Sequence, residues 1–157
     1  MIRAVAPADV PAVHALIREL AVYEKLEHEV VGSVEQLHAS LFGAPRHVEA
    51  LVADDEIEGV VGFALFFQNY STFLARAGIY LEDLFVRPAH RRKGYGKALL
   101  QALARVAVER GCGRFEWSVL DWNEPAKRFY ESLGAREMGD WRIYRVTGDA
   151  LARLGKA

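Results

Sequence analysis
The chain of 157 residues holds one cysteine, Cys112, so it can form no internal disulfide and has no Cys/His set at zinc-finger spacing. Its five histidines, His14, His28, His38, His47 and His90, are scattered without ligand spacing, and no metal is expected. No uncharged run reaches the ~18 residues that a membrane span requires. Met1-Ile2-Arg3 leads into a strand-like segment rather than a signal peptide, which sets the expectation of a cytoplasmic protein without a membrane partner. An excess of either charge is also missing, the net being −1. That balance hides a division. Residues 1–78 carry five basic against eleven acidic side chains, and residues 79–157 carry fifteen against ten. Such asymmetry suits one cationic and one anionic ligand, or simply two solvated faces.

What is present is enough apolar sequence for one core, at a length close to one domain. Ile2–Val5 reads as a strand. Val13, Leu16, Ile17, Leu20 and Ala21 recur at helical spacing and predict a helix over about 10–25. Ser33 with Gln36 is a capping-box pattern opening a short helix that stops at Gly43. Strands are predicted at 47–53 and 59–68 around the acidic turn Asp54-Asp55-Glu56, a loop over 70–78, and a strand from Ile79 to Val86. Then come a helix over 97–110, a strand over 114–120, a helix over 124–133 and a last strand over 142–147. Strand-helix-strand in the second half requires a parallel pair, so the fold class is α/β with a mixed sheet.

Between the strand ending at Val86 and the following helix lies Arg87-Pro88-Ala89-His90-Arg91-Arg92-Lys93-Gly94-Tyr95-Gly96-Lys97. Glycines at 94 and 96 allow a tight turn with open backbone N–H groups, and the helix adds unpaired N–H groups and a positive dipole end. This is an anion cradle in principle, although a glycine turn between strand and helix also occurs for purely structural reasons. No Gly-Lys-Ser/Thr follows, so it is not a Walker loop, and the third glycine of the dinucleotide fingerprint is missing. Three basic residues without interleaved aromatics do not make a nucleic-acid patch, and no nucleic-acid partner is expected.

Arg91-x-x-Gly94-x-Gly96 resembles the acetyl-CoA diphosphate motif of the GNAT superfamily of N-acetyltransferases. Tyr80-Leu81-Glu82-Asp83-Leu84-Phe85-Val86, Trp122-Asn123-Glu124-Pro125, Phe129-Tyr130, Leu133-Gly134-Ala135 and Leu20-Ala21-Val22-Tyr23-Glu24 are similar to its diamine (spermidine/spermine-type) branch. The resemblance runs from Ile2 to about Val146. It implies a central twisted mixed sheet with a splayed strand pair, helices on both faces, acetyl-CoA as cosubstrate and a homodimer.

By that resemblance, the N–H groups of Arg92, Lys93, Gly94, Tyr95 and Gly96, with Lys97, hold the diphosphate of coenzyme A. Arg91, Lys93, Lys127 and Arg128 add charge. The backbone of Leu84, Phe85 and Val86 pairs with the pantetheine arm, and Asn123 holds that arm or the helix start. Tyr130 is the acid that protonates the departing thiolate. Glu82 is expected as the base that frees the amine, with Asp83 as electrostatic anchor. Adjacent strand residues point to opposite faces, so both reach one substrate only through a bulge. Tyr23 and Glu24, with Trp141 as an aromatic wall, are expected to bind the distal ammonium of a small amine. The alternatives are another amine acceptor, a protein amine, or a coenzyme A-binding module without catalysis.

Overall fold
The computed structural model describes residues 1–156 and divides into two compact units, Met1–Ser118 and a second opening at Val119. The first contains a five-stranded sheet in the order β1 (Ile2–Ala4), β2 (Glu49–Asp55), β3 (Gly59–Ser71), β4 (Arg76–Val86), β5 (Phe115–Trp117). Successive pairs from β1 to β4 are antiparallel, while β4 and β5 are parallel. The helices of this unit are α1 (Val10–Tyr23), α2 (Val34–Phe42) and α3 (Tyr95–Glu109).

Alternation along the strands builds two cores. Val52, Phe63, Leu65 and Phe85 join Val10, Val13, Leu16 and Leu20 of α1 and Leu41 of α2 in one cluster. Ala64 and Phe66, pointing to the opposite face, are buried outside it, as are Leu99, Leu100, Leu103 and Ala107 of α3. Truncating a fully buried Leu16 or Phe63 to Ala should cost roughly 3–5 kcal/mol.

Local signals explain the helix limits. The Ser33 hydroxyl accepts from the Gln36 N–H at 3.1 Å while the Gln36 side chain accepts from the Ser33 N–H at 2.8 Å, the expected capping box. Helix α1 stops where Lys25 takes φ +60°, and α3 starts at Gly94 with φ +86°.

Two expectations are corrected in this unit. The loop over 70–78 is mostly strand, because β3 runs to Ser71 and β4 resumes at Arg76, leaving a short turn. The strand over 114–120 shrinks to Phe115–Trp117, paired only with Ile79, Tyr80 and Leu81. Beyond Leu81, β4 is paired with β3 alone among the described residues, so the expected splay is present. Tyr80 Oη and Ser118 Oγ, 2.7 Å apart, form the last strut before the strands part.

The second unit contains α4 (Glu124–Ser132) and α5 (Gly148–Leu154), the latter unforeseen. Its segment 142–147, expected as a strand, is irregular and exposed. A strand needs a ladder partner, and among the described residues this segment has none.

Candidate active site
Three carboxylates collect where α1 ends against β4. Glu24 is the residue after α1, and Glu82 and Asp83 lie two-thirds of the way along β4. The register explains how neighbours on one strand come to differ. Asp83 pairs with Leu65, but Leu81 pairs with Phe66, so Glu82 is an extra residue in a β-bulge. The bulge resets the alternation: Asp83 follows Leu65 toward the α1 side, and Leu81 follows Phe66 to the other. Without it Asp83 and Leu81 would share a face.

The electrostatics follow from this placement. Asp83 is half-buried, and loss of solvent, then the charges of Glu82 and Glu24, push its pKa up to about 6. Burial also raises that of Glu24. Glu82 is exposed. Among the described residues none of the three takes part in an ion pair. Together they form an acidic group, half-buried at Glu24 and Asp83 and exposed at Glu82.

The glycine turn is also in place. A Cβ built on Gly94 or Gly96 would meet nothing within 4 Å, so the space over the turn is open. No side chain caps α3, which leaves its first-turn N–H groups for an anion. Arg92 takes φ +64° beside the turn. Lys93 and Lys97 are exposed. These features fit a diphosphate.

Other expected residues are placed differently. The Arg91 guanidinium lies over the Tyr23 ring (Cζ 4.9 Å from its centroid) and 5.6 Å from that of Phe85, with Nε donating to the Val86 carbonyl at 3.0 Å. It is turned toward the end of α1, not toward open space above the turn. The Tyr95 hydroxyl donates to Asp55 at 2.9 Å. Of Leu84, Phe85 and Val86, the last two are buried and all pair with β3 on one side only.

Within the second unit, Asn123 is buried and its side-chain oxygen accepts from the Ala126 N–H at 3.3 Å, the helix-start role of its two expected ones. The Lys127 ammonium sits 3.0 Å from Asp121 and 3.3 Å from Glu124. Arg128 is exposed, and Tyr130 is half-buried on α4 with its ring 5.5 Å from Phe129. Trp141 is 76% exposed.

Sequence reasoning missed Glu19 and Arg87. The Arg87 guanidinium grips the Glu19 carboxylate with Nε at 3.1 and 3.2 Å and a terminal nitrogen at 2.9 Å. The only sequence signal was a carboxylate one helical turn before Tyr23, which says nothing of a partner 68 residues away.

The model of the acetyltransferase (GNAT) family matches residues 13–135. An L-ornithine N5-acetyltransferase of Arabidopsis thaliana is 38% identical, covering 99% of this chain and 87% of that protein. The chain belongs to the GNAT acetyltransferase family. A thialysine N-epsilon-acetyltransferase of Bos taurus is 39% identical to this acetyltransferase over 98% of the chain and 96% of its own length. Among solved structures, an integron cassette protein from the mobile metagenome of V. cholerae superposes with a TM-score of 0.82 at 28% identity, over 100% of this chain and 98% of that one. The enzyme is thus an acetyl-CoA-dependent N-acetyltransferase. No helix among the described residues of this GNAT protein is long and apolar enough to cross a membrane.

Proposed function
We propose that the chain acetylates the primary amine of a small cationic substrate, a diamine or a thialysine-like amino acid, by direct attack in a ternary complex. The carrying observation is the unpaired acidic group of Glu24, Glu82 and Asp83 beside the splay of β4 from β5. The names of its relatives, an ornithine and several thialysine acetyltransferases, support a side-chain amine as acceptor.

When bound, acetyl-CoA supplies an acetyl group activated as a thioester. The N–H groups from Arg92 to Gly96 hold its diphosphate, and the side of Leu84 to Val86 away from β3, where the Val86 carbonyl already accepts from Arg91, offers its remaining backbone groups to the extended arm. An alkyl amine near pKa 10.4 is almost wholly protonated at neutral pH, so a proton must leave before attack. Asp83, with its pKa raised to about 6, suits that acceptor better than the exposed Glu82, because a base is most effective near the working pH. Glu82 then acts through its charge, keeping Asp83 basic. This reverses the roles expected from sequence. Glu24 and Tyr23 face the distal ammonium. Tyr130 returns a proton to the coenzyme A sulfur, and Trp141 adds an aromatic wall; both assignments rest on the family pattern alone. A cytoplasmic setting, a homodimer and one N-acetyltransferase domain complete the proposal, the last supported by a family match that continues from the first unit into the second.

A panel of amines with purified protein, read by thiol release from acetyl-CoA, tests it. Turnover on ornithine, thialysine or a short diamine, with little on neutral-tailed monoamines, is the expected result. No release on any amine would overturn the reading.

A further inference from the structure
The glycine turn and the acceptor side of the site are tied together by two arginines four residues apart. Arg87 and Arg91 flank the short 3-10 turn Pro88–His90 that leads into the diphosphate cradle. Their partners on α1, Glu19 and Tyr23, are also four apart and so share one helix face. Arg87 grips Glu19 through three nitrogen–oxygen contacts of 2.9 to 3.2 Å. Arg91 lies over the Tyr23 ring and anchors its own Nε on the Val86 carbonyl at 3.0 Å. The two contacts follow one turn of α1 to its last residue, and Glu24 comes next.

The Arg91 contact is directional in three ways. Its planar guanidinium suits an aromatic face better than an ammonium would. Its charge sits near the C-terminal end of α1, where a cation is favoured by the helix dipole. It leaves the Glu24 carboxylate out of any ion pair among the described residues, so that carboxylate stays available. A side chain used to bind phosphate would instead point into the open space over Gly94 and Gly96.

We propose that Arg91 is a positioning residue that couples the cofactor turn to the acceptor site, holding Tyr23 and thereby Glu24 in place for the substrate's distal ammonium. The idea rests on the function proposed above and adds a route between its two ligands. Occupation of the turn fixes Arg91, Arg91 fixes the end of α1, and the diamine then meets a formed site. Through its Nε Arg91 also holds the Val86 carbonyl, one of the backbone groups beside the arm.

The test combines kinetics with hydrogen exchange. Steady-state rates are measured for 1,4-diaminobutane and for butylamine, which lacks the second ammonium, in wild type, Arg91→Gln, Arg91→Lys, Tyr23→Phe and Tyr23→Leu. Arg91→Gln and Tyr23→Leu should each raise KM for the diamine about tenfold, with acetyl-CoA and butylamine KM within about twofold of wild type. The double variant should be little worse than either single one. Tyr23→Phe, which keeps the ring face, should raise the diamine KM less than Tyr23→Leu does, and Arg91→Lys should raise it about as much as Arg91→Gln. In parallel, coenzyme A alone should slow exchange of the Val22–Leu26 amides in wild type and not in Arg91→Gln.

A KM increase for acetyl-CoA alone would make Arg91 a phosphate ligand and overturn the coupling. Equal loss on butylamine and diamine would overturn it too. Calorimetric heat from coenzyme A without altered exchange at Val22–Leu26 would sink the coupling and leave the enzyme reading intact. No thiol release on any amine, with the exchange effect present, would sink the enzyme reading and keep the coupling.

Discussion

The Tyr95 hydroxyl, in the first turn of α3, donates a 2.9 Å hydrogen bond to Asp55 at the end of β2, 40 residues away. Asp55 also accepts from the N–H groups of Ile57 and Glu58 at 3.1 and 3.2 Å, and these three bonds hold its pKa down to about 2. Buried His90 adds a second link, its Nε2 lying 3.4 Å from a Glu58 carboxylate oxygen. The β2–β3 hairpin therefore braces the glycine turn.

Loss of that brace should affect cofactor binding first. Tyr95→Phe is expected to raise KM for acetyl-CoA several-fold with kcat little changed, and Asp55→Asn should do the same. Because the Asp55 carboxyl is held below its ordinary value of 3.8, its contribution is complete above that pH and disappears as pH falls toward about 2. Coenzyme A affinity by calorimetry at pH 7 and pH 5 should show no difference traceable to Asp55; a loss at pH 5 that Asp55→Asn abolishes would contradict this.

At the turn itself, Gly94 and Gly96 predict different outcomes. Gly94→Ala places a Cβ at φ +86° and should cost about 1–2 kcal/mol in stability. At Gly96 a Cβ would meet no protein atom within 4 Å, so in Gly96→Leu the melting temperature should hold while the added side chain fills the cradle. KM for acetyl-CoA should then rise by about tenfold or more. Unchanged KM in a folded Gly96→Leu protein would remove the diphosphate from this turn.

The Glu82–Asp83 pair predicts opposite movements of the pH profile. The rate should climb through pH 6 on its acid side, where Asp83 loses its proton. Asp83→Asn should remove that limb. Glu82→Gln should shift it to lower pH, since a neighbouring negative charge that raises the pKa has gone. Stability carries the same signature with its own sign. The folded state binds this proton more tightly than the unfolded chain does, so stability falls as pH rises from about 3.8 to about 6. Asp83→Asn should accordingly stabilise the protein at pH 7 by on the order of 2–3 kcal/mol, measured by denaturant titration, and by little at pH 3.

Tyr130→Phe should lower kcat by roughly 10²-fold while leaving both KM values near wild type, as expected for loss of a proton donor. A variant with full turnover would take the acid role from Tyr130.

Much of this was legible in the residues. Helical spacing from Val13 to Ala21, the Ser33–Gln36 pair and the glycines at 94 and 96 are local signals, and each element they predict is present. Exposed Tyr70 and the polar residues around it carry no apolar alternation, which hid the continuation of β3 and β4. Segment 142–147 has strand propensity but no ladder partner among the described residues, and propensity alone does not make a strand. The bulge at Glu82 leaves no mark in composition, although it decides which carboxylate turns toward α1. Arg91 and Lys127 read as phosphate ligands because charge beside a glycine turn or on a nearby helix suggests it. In the structure the Arg91 guanidinium lies over the Tyr23 ring and Lys127 sits beside Asp121, contacts that charge in the sequence does not signal.

Where β4 leaves β5 after Leu81, the cofactor contact proposed above would be made by main chain alone. Alanine scanning of Leu84 to Val86 would register only lost packing and miss any cofactor contact. A change that alters the chain itself, such as Leu84→Pro or a backbone amide-to-ester replacement, is what would expose it.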